Sequence, residues 1–201
     1  MTIAVLDLDG VIRHLDSLDI DAVIETELGL PEGTLWRLVM ETPDIDRAVV
    51  GELTRGEWED RIELELRSLT TTDADVGRSF QRWRENIGQV DPAMVRLIEA
   101  WRSRGIPVFV FTNGTDRVPA ELEKLGIAEL FHGVLNSYNY RVRKPDAEAY
   151  RRAHAEIEAV LGRAVLPNEV YFTDDKAKNV DAARTHGWRA EVFESAAALH
   201  I

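Results

Sequence analysis

Apolar residues follow two rhythms along this chain. Short apolar runs occur at Ile3–Leu6 (IAVL), Pro107–Phe111 (PVFVF) and Val170–Phe172, with a weaker one at Phe131–Leu135 that His132 interrupts and a late one at Ala190–Phe193 that Glu191 interrupts. Runs that are apolar throughout suit strands buried on both faces. Between the later runs, apolar positions recur at helical spacing. Asp91 and Pro92 precede such a stretch as N-cap and first helical residue, and Gly105 ends it. Asp146 opens AEAYRRAHAEIEAVLG up to Gly162, and Lys178–His186 closes on Gly187. This alternation predicts an α/β fold whose parallel sheet is covered by helices on both faces.

The span 15–87 breaks the alternation. It holds no convincing strand and reads as helices over Asp19–Leu28, Glu32–Glu41, Asp44–Gly51, Thr54–Leu69 and Asp73–Ile87. Thr54 and Glu57 have capping-box spacing. A crossover between parallel strands needs far fewer residues. The expected organisation is therefore an α/β body built from residues 1–14 and 88–201, carrying an inserted all-helical cap at 15–87. Trp36, Trp58 and Trp83 are expected in that insert's core, and Arg82-Trp83-Arg84 on a charged helix face.

Composition narrows the function. The 201 residues include 24 Lys plus Arg against 36 Asp plus Glu, a formal charge of −12. That balance argues against nucleic acid or an anionic membrane as partner, because phosphate backbones demand a basic face. A small phosphorylated ligand stays compatible, since one local site can be positive on an acidic protein. There is no Cys, so thiolate metal sites, disulfides and a thiol nucleophile are excluded. The start MTIAVLDLDG lacks a basic n-region, and no apolar stretch approaches the roughly 20 residues of a membrane span. A cytoplasmic location is the expectation. Nothing in the chain specifies an oligomeric state.

Candidate chemistry clusters after the strands. Asp7-Leu8-Asp9-Gly10 follows the first run, Thr112-Asn113-Gly114 the second, and Asp174-Asp175 the run at Val170. In an open parallel sheet, ligands bind at these carboxyl ends. Carboxylates this close repel unless a cation or a shared proton intervenes. Hydroxyl, amide and backbone N–H groups around Thr112 and Asn113 could hold an anionic oxygen. Lys144, before Pro145-Asp146, could meet a phosphate as a point charge. Each segment alone also fits a turn or a helix cap. Oxygen-only ligands point to a hard cation such as Mg²⁺.

Taken in order, VLDLDGV, VFVFTNG, RKPDAEAY and YFTDDKAKNVDAARTHGW resemble the four motifs of the haloacid dehalogenase superfamily of phosphatases. The resemblance spans nearly the whole chain and implies a Rossmann-like sheet. GELTRGEWEDRI is similar to the small helical cap of a branch holding bacterial sugar-phosphate phosphatases and the phosphatase domain of soluble epoxide hydrolase. The implied activity is Mg²⁺-dependent hydrolysis of a small phosphomonoester, a phosphorylated metabolite, through an aspartyl phosphate. Asp7 would be the nucleophile and Asp9 the general acid, then base. Thr112 and Asn113 would hold the phosphoryl group, and Lys144 would orient Asp7. Mg²⁺ would lie among Asp7, the Asp9 carbonyl and the acidic pair. Aligning the fourth motif places Asp175 as direct ligand and Asp174 beside it.

Two residues depart from the family pattern. Arg141 stands where Gly is frequent, and Ala147 replaces the second Pro of the usual KPDP. Arg13 and His14 follow the first motif at the crossing into the cap, where either could face substrate. A phosphomutase would share all four motifs. Relatives that cleave carbon–halogen bonds usually lack an acid at the position of Asp9. A non-catalytic interaction protein would be expected to have lost one of Asp7, Asp9, Lys144 or the acidic pair, and all are present.

Overall fold

The first strand, β1 (Ile3–Leu6), is the middle strand of a five-stranded parallel sheet. A computed structural model describes residues 2–15 and 18–201; Met1, Asp16 and Ser17, and with them part of the expected junction into the insert, lie outside the described residues. After β1 come β2 (Arg13–His14) and five helices, α1 (Leu18–Leu28), α2 (Thr34–Met40), α3 (Pro43–Val49), α4 (Arg55–Leu69) and α5 (Val76–Glu85). The chain returns through β3 (Gln89–Val90) to α6 (Pro92–Ser103), β4 (Val108–Thr112), α7 (Val118–Lys124) and β5 (Gly133–Asn136). It ends with α8 (Ser137–Tyr140), α9 (Ala147–Leu161), β6 (Val170–Asp174), α10 (Ala177–His186) and β7 (Arg189–Val192).

The sheet runs β5-β4-β1-β6-β7, with Leu6 level with Val110 on one side and Thr173 on the other. All four residues of β1 are fully buried, because alternate side chains leave on opposite faces and both faces are covered. Ala4 and Leu6 join Val108, Val110 and Met94, Ile98 and Trp101 of α6. Ile3 and Val5 join Phe109, Phe111, Phe172 and Tyr150 and Ile157 of α9. Burying each large side chain stabilises the fold by about 1.5–3 kcal/mol, and β1 is covered on both faces and paired along both edges.

Local signals set the helix ends. The Asp91 side chain accepts from Ala93 N with Pro92 at the first position, and Asp146 accepts from Glu148 N. Thr54 and Glu57 form the reciprocal capping box. Gly162 and Gly187 close α9 and α10 in the left-handed region. The expected strand 107–111 is displaced by one residue, since Pro107 has no N–H to donate; its carbonyl accepts from Ala4 N. A short 3₁₀ turn at Ala128–Leu130 delays β5 beyond the expected start at Phe131.

The insert has its own core. Ile24, Leu28, Leu35, Trp58, Ile62, Leu66, Phe80 and Trp83 pack together, with Phe80 and Trp83 stacked at 5.1 Å. Trp36 departs from its expected core position: it is 48% exposed. At the root of the insert, β2 and β3 pair antiparallel, Arg13 opposite Val90 and His14 opposite Gln89. This ribbon was not expected; two-residue strands have no readable periodicity. No helix among the described residues is long and apolar enough to cross a membrane.

Phe80→Ala is expected to cost about 3–5 kcal/mol, the usual range for emptying a fully buried aromatic site. Urea unfolding followed by tryptophan fluorescence measures it, because Trp58 and Trp83 share that core. A loss under 1 kcal/mol would mean that the insert's core is not packed as described.

Candidate active site

Three neighbouring strands deliver the site. Asp7 follows β1, its N–H donating to the Thr173 carbonyl at 2.9 Å, so the sheet ladder carries on to the base of the carboxylate. Thr112 ends β4, and Asp174 ends β6. All three residues are buried. Between them lies the Lys144 ammonium. Nζ donates to the Phe111 carbonyl at 2.7 Å and to Asp174 Oδ2 at 2.6 Å, and lies 2.9 Å from Asp7 Oδ1. An ammonium has three N–H groups, and here each has a partner at a different strand end.

Asn113 fixes the backbone that carries Lys144. Its amide donates to the Lys144 carbonyl at 3.0 Å and accepts from Lys144 N at 2.9 Å. Asn113, expected with Thr112 to hold a phosphoryl group, has both ends of its side-chain amide bonded to Lys144, which leaves its backbone N–H for an anionic oxygen. On the same loop, Arg141 adopts φ 58°, the left-handed conformation that explains why Gly is frequent at this position. Its guanidinium donates to the Gly51 carbonyl of the insert.

Charge does not balance. Burial works against the Asp174 carboxylate, but the Lys144 ammonium and donors from Lys176 N and Asn179 outweigh it and hold its pKa below the ordinary range. For Asp7, burial dominates, the Lys144 charge offsets it only in part, and the pKa is pushed up. Burial also raises Asp175. For Lys144, the two carboxylates overcome the burial penalty and raise its pKa. One ammonium thus serves a surplus of carboxylates. Asp7, Asp174 and Asp175 each offer an oxygen, and these atoms lie within 4.8 Å of one another. An all-oxygen, negatively charged cluster fits a hard divalent cation. Asp174 has both oxygens taken up by Lys144, Lys176 and Asn179, whereas Asp175 is exposed. Gly10, at φ 86°, comes so close that a Cβ there would stand 2.8 Å from Asp175 Oδ2.

Asp9 sits at the edge of this group, its side chain 40% exposed. Arg13 grips it with Nε at 2.7 Å from Oδ1 and Nη2 at 3.2 Å from Oδ2. The remaining Arg13 nitrogen donates to Glu121 Oε2 at 2.6 Å and to the Ile87 carbonyl at 3.4 Å. Arg13, expected among the candidates to face substrate, is instead buried and fully committed at the root of the insert; His14 is exposed. Several residues around the site are not among those expected from the sequence: Asn179 lies inside the fourth motif, whereas Ser137 and Arg117 lie outside all four. Asn179 clamps both Asp174 oxygens at 2.9 Å from the first turn of α10. Ser137 Oγ donates to the Val49 carbonyl at 2.6 Å, and Arg117 meets Glu59 of α4 through two 2.9 Å bonds. These join the insert to the loops at the strand ends.

A haloacid dehalogenase-like hydrolase model matches residues 1–187, and the chain belongs to that family of hydrolases. Enolase-phosphatase E1 of Methylococcus capsulatus is 28% identical over 151 residues, 72% of this chain and 60% of that protein. Sesquiterpene phosphatase astK of Aspergillus oryzae is 30% identical over 102 residues, 48% of this chain and 47% of that protein. The matches span 36–60% of the length of the curated relatives. Among solved structures, a HAD family enzyme of Bacteroides thetaiotaomicron in complex with magnesium and inorganic phosphate superposes with a TM-score of 0.72 at 17% identity, covering 97% of this chain and 95% of that one. L-2-haloacid dehalogenase of Xanthobacter autotrophicus gives 0.64 at 20% identity, covering 94% and 76%. At these identities the likeness is one of fold.

Removing the Lys144 charge leaves two buried carboxylates facing each other. Lys144→Met is expected to destabilise the protein by about 3–5 kcal/mol, the usual range for orphaning a buried ionic partner. Adding Asp174→Asn to that variant should recover part of the loss, because one of the stranded charges is gone. Guanidinium unfolding of the two variants reads both values, and a double variant less stable than Lys144→Met would contradict the charge balance described.

Proposed function

We propose that this chain hydrolyses small phosphomonoesters with Mg²⁺ as cofactor, carrying the phosphoryl group transiently on Asp7. The observation that carries the reading is the Lys144 ammonium bonded at once to Asp7 and Asp174, with Asp175 alongside. Phosphoryl transfer needs in-line positioning and charge neutralisation more than elaborate covalent chemistry; Lys144 supplies one positive charge beside Asp7, and a divalent cation on the surplus carboxylates would supply the rest. The phosphatase names of several relatives, and a neighbour crystallised with magnesium and phosphate, agree with it.

In this mechanism one oxygen of Asp7 attacks phosphorus and the P–O bond to the alcohol breaks. Leu8 N–H and Lys144 Nζ both bind Asp7 Oδ1, at 2.8 and 2.9 Å, so Oδ2 is the oxygen left to attack. Asp9 gives a proton to the leaving alkoxide, then takes one from the water that cleaves the acyl phosphate. Arg13 sets the orientation of Asp9 through both of its oxygens. Thr112, with the backbone N–H of Asn113, receives the oxygens of the transferring group. Bound at Asp7, Asp175 and the Asp9 carbonyl, with Asp174 behind them, Mg²⁺ would neutralise negative charge on the phosphoryl oxygens. Residues 15–87 act as a cap: their ties to the strand-end loops through Glu59, Val49 and Gly51 limit the site to small substrates.

A panel of small phosphate esters tests the assignment. Hydrolysis is expected with Mg²⁺, to stop on chelation and to return when the metal is added back. Asp7→Asn should abolish turnover while the protein stays folded, because an amide cannot form the acyl phosphate. Metal-independent turnover, or near-normal activity in Asp7→Asn, would sink the proposal.

A further inference from the structure

The seam between insert and body holds a second polar cluster, apart from Asp7, Asp174 and Asp175, in which Arg55 and Arg117 share the Glu59 carboxylate. Arg55, the first residue of α4, is its centre. The Arg55 backbone N–H donates to Asp116 Oδ1 at 2.7 Å, and Nε donates to Glu59 Oε1 at 2.7 Å. The guanidinium lies over Trp58 at 4.8 Å and over Trp83 at 4.6 Å. Position and tilt of the group are thus set from three sides. Neither Nη of Arg55 has an acceptor among the described residues. Glu59, only 1% exposed, already receives two bonds from Arg117. Arg84 meets Glu63 and Asp60 through its two Nη nitrogens at 2.7 and 2.9 Å, but its Nε stops 3.6 Å from Glu59, beyond hydrogen-bond distance. Arg84 Nε and Trp58 Nε1 are both buried without an acceptor.

Buried donors without acceptors are rare in native proteins, and each calls for an explanation. Here the outer edge of one pre-stacked guanidinium is unused beside two more unmet donors. The Asp116 that fixes Arg55 sits on the loop opened by Thr112 and Asn113, four residues beyond Thr112. A planar fork with two free nitrogens matches a carboxylate through two parallel bonds. Glu59, Glu63, Asp60 and Asp116 offset the guanidiniums of Arg55, Arg84 and Arg117, so the cluster has no positive surplus, which suits a monoanion held by the fork better than a phosphate dianion.

We propose that Arg55 is a specificity-determining residue that binds a carboxylate on the alcohol part of the substrate, so that the preferred esters are phosphorylated hydroxy acids. This rests on the phosphatase reading above and names the substrate class of that same site. Trp58 and Trp83 hold the fork in place, and Glu59 stops it from turning away.

The test compares 3-phosphoglycerate with sn-glycerol 3-phosphate, which differ by a carboxylate against a hydroxymethyl group. Calorimetric binding in the Asp7→Asn protein with Mg²⁺ reads recognition without turnover. That protein is expected to prefer 3-phosphoglycerate by roughly tenfold to a hundredfold, the range for hydrogen bonds to a charged group. Adding Arg55→Gln should collapse the preference to near one. Arg55→Lys, which keeps charge without the fork, should retain only part of it; it also carries the test if the Gln variant does not fold. A ratio near one before Arg55 is changed, or one that survives both substitutions, overturns the proposal. Absence of turnover of either ester by the unmodified enzyme would instead count against the phosphatase reading, and the binding ratio would still be read.

Discussion

The ammonium of Lys144 is the contact on which the site's geometry turns. It bonds to groups after β1, at β4 and at the end of β6, and so holds three strand ends around one positive charge. Its two aromatic neighbours, Phe111 and Phe172, lie with ring centres 5.0 and 5.3 Å away and keep water from the far side. A buried ammonium is costly alone, and buried carboxylates are costly alone. Together they are tolerable, with negative charge in excess. That excess is functional in the proposed mechanism: it leaves the nucleophile poised and gives a divalent cation a reason to bind.

The same charge logic extends outward. Arg13 ties Asp9 to Glu121 and to the Ile87 carbonyl, where the chain leaves the insert. Glu59 ties Arg117 of the strand-end loop to α4. Opening the insert about the β2–β3 ribbon would therefore disturb contacts at both of its ends, one of them made by the residue that grips Asp9. The orientation of Asp9 and the placement of the insert are thus tied together by the Arg13 and Arg117 ion pairs, with the Ser137–Val49 and Arg141–Gly51 hydrogen bonds beside them.

Much of this could be read along the chain, for a physical reason. A strand buried on both faces must be apolar without interruption, so IAVL and PVFVF are unmistakable, and a polar cluster after such a run has to lie at the sheet's edge. That logic places Asp7, Thr112 and Asp174 before any coordinates are known. What it misses depends on pairing between distant segments. The ribbon of Arg13-His14 with Gln89-Val90 is too short to have a period. Helix α7 is seven residues with a Pro near its start, a weak pattern by itself. Arg13 reads as a hinge residue open to substrate, yet its partners Asp9, Glu121 and Ile87 turn it inward. Asn113 reads as an anion ligand, yet Lys144, thirty-one residues later, claims its amide. Trp36 shares its residue type with Trp58 and Trp83, but only the latter two face the insert's core.

The central claim is that phosphate passes through a covalent bond to Asp7. Acid quench of the working enzyme during turnover, borohydride reduction and peptide mass spectrometry locate that bond directly. An acyl phosphate is reduced to an alcohol under these conditions, whereas a free carboxylate is not. The account predicts homoserine at position 7 and unmodified Asp9. Reduction at Asp9, or none at either position while ester is being hydrolysed, would contradict it.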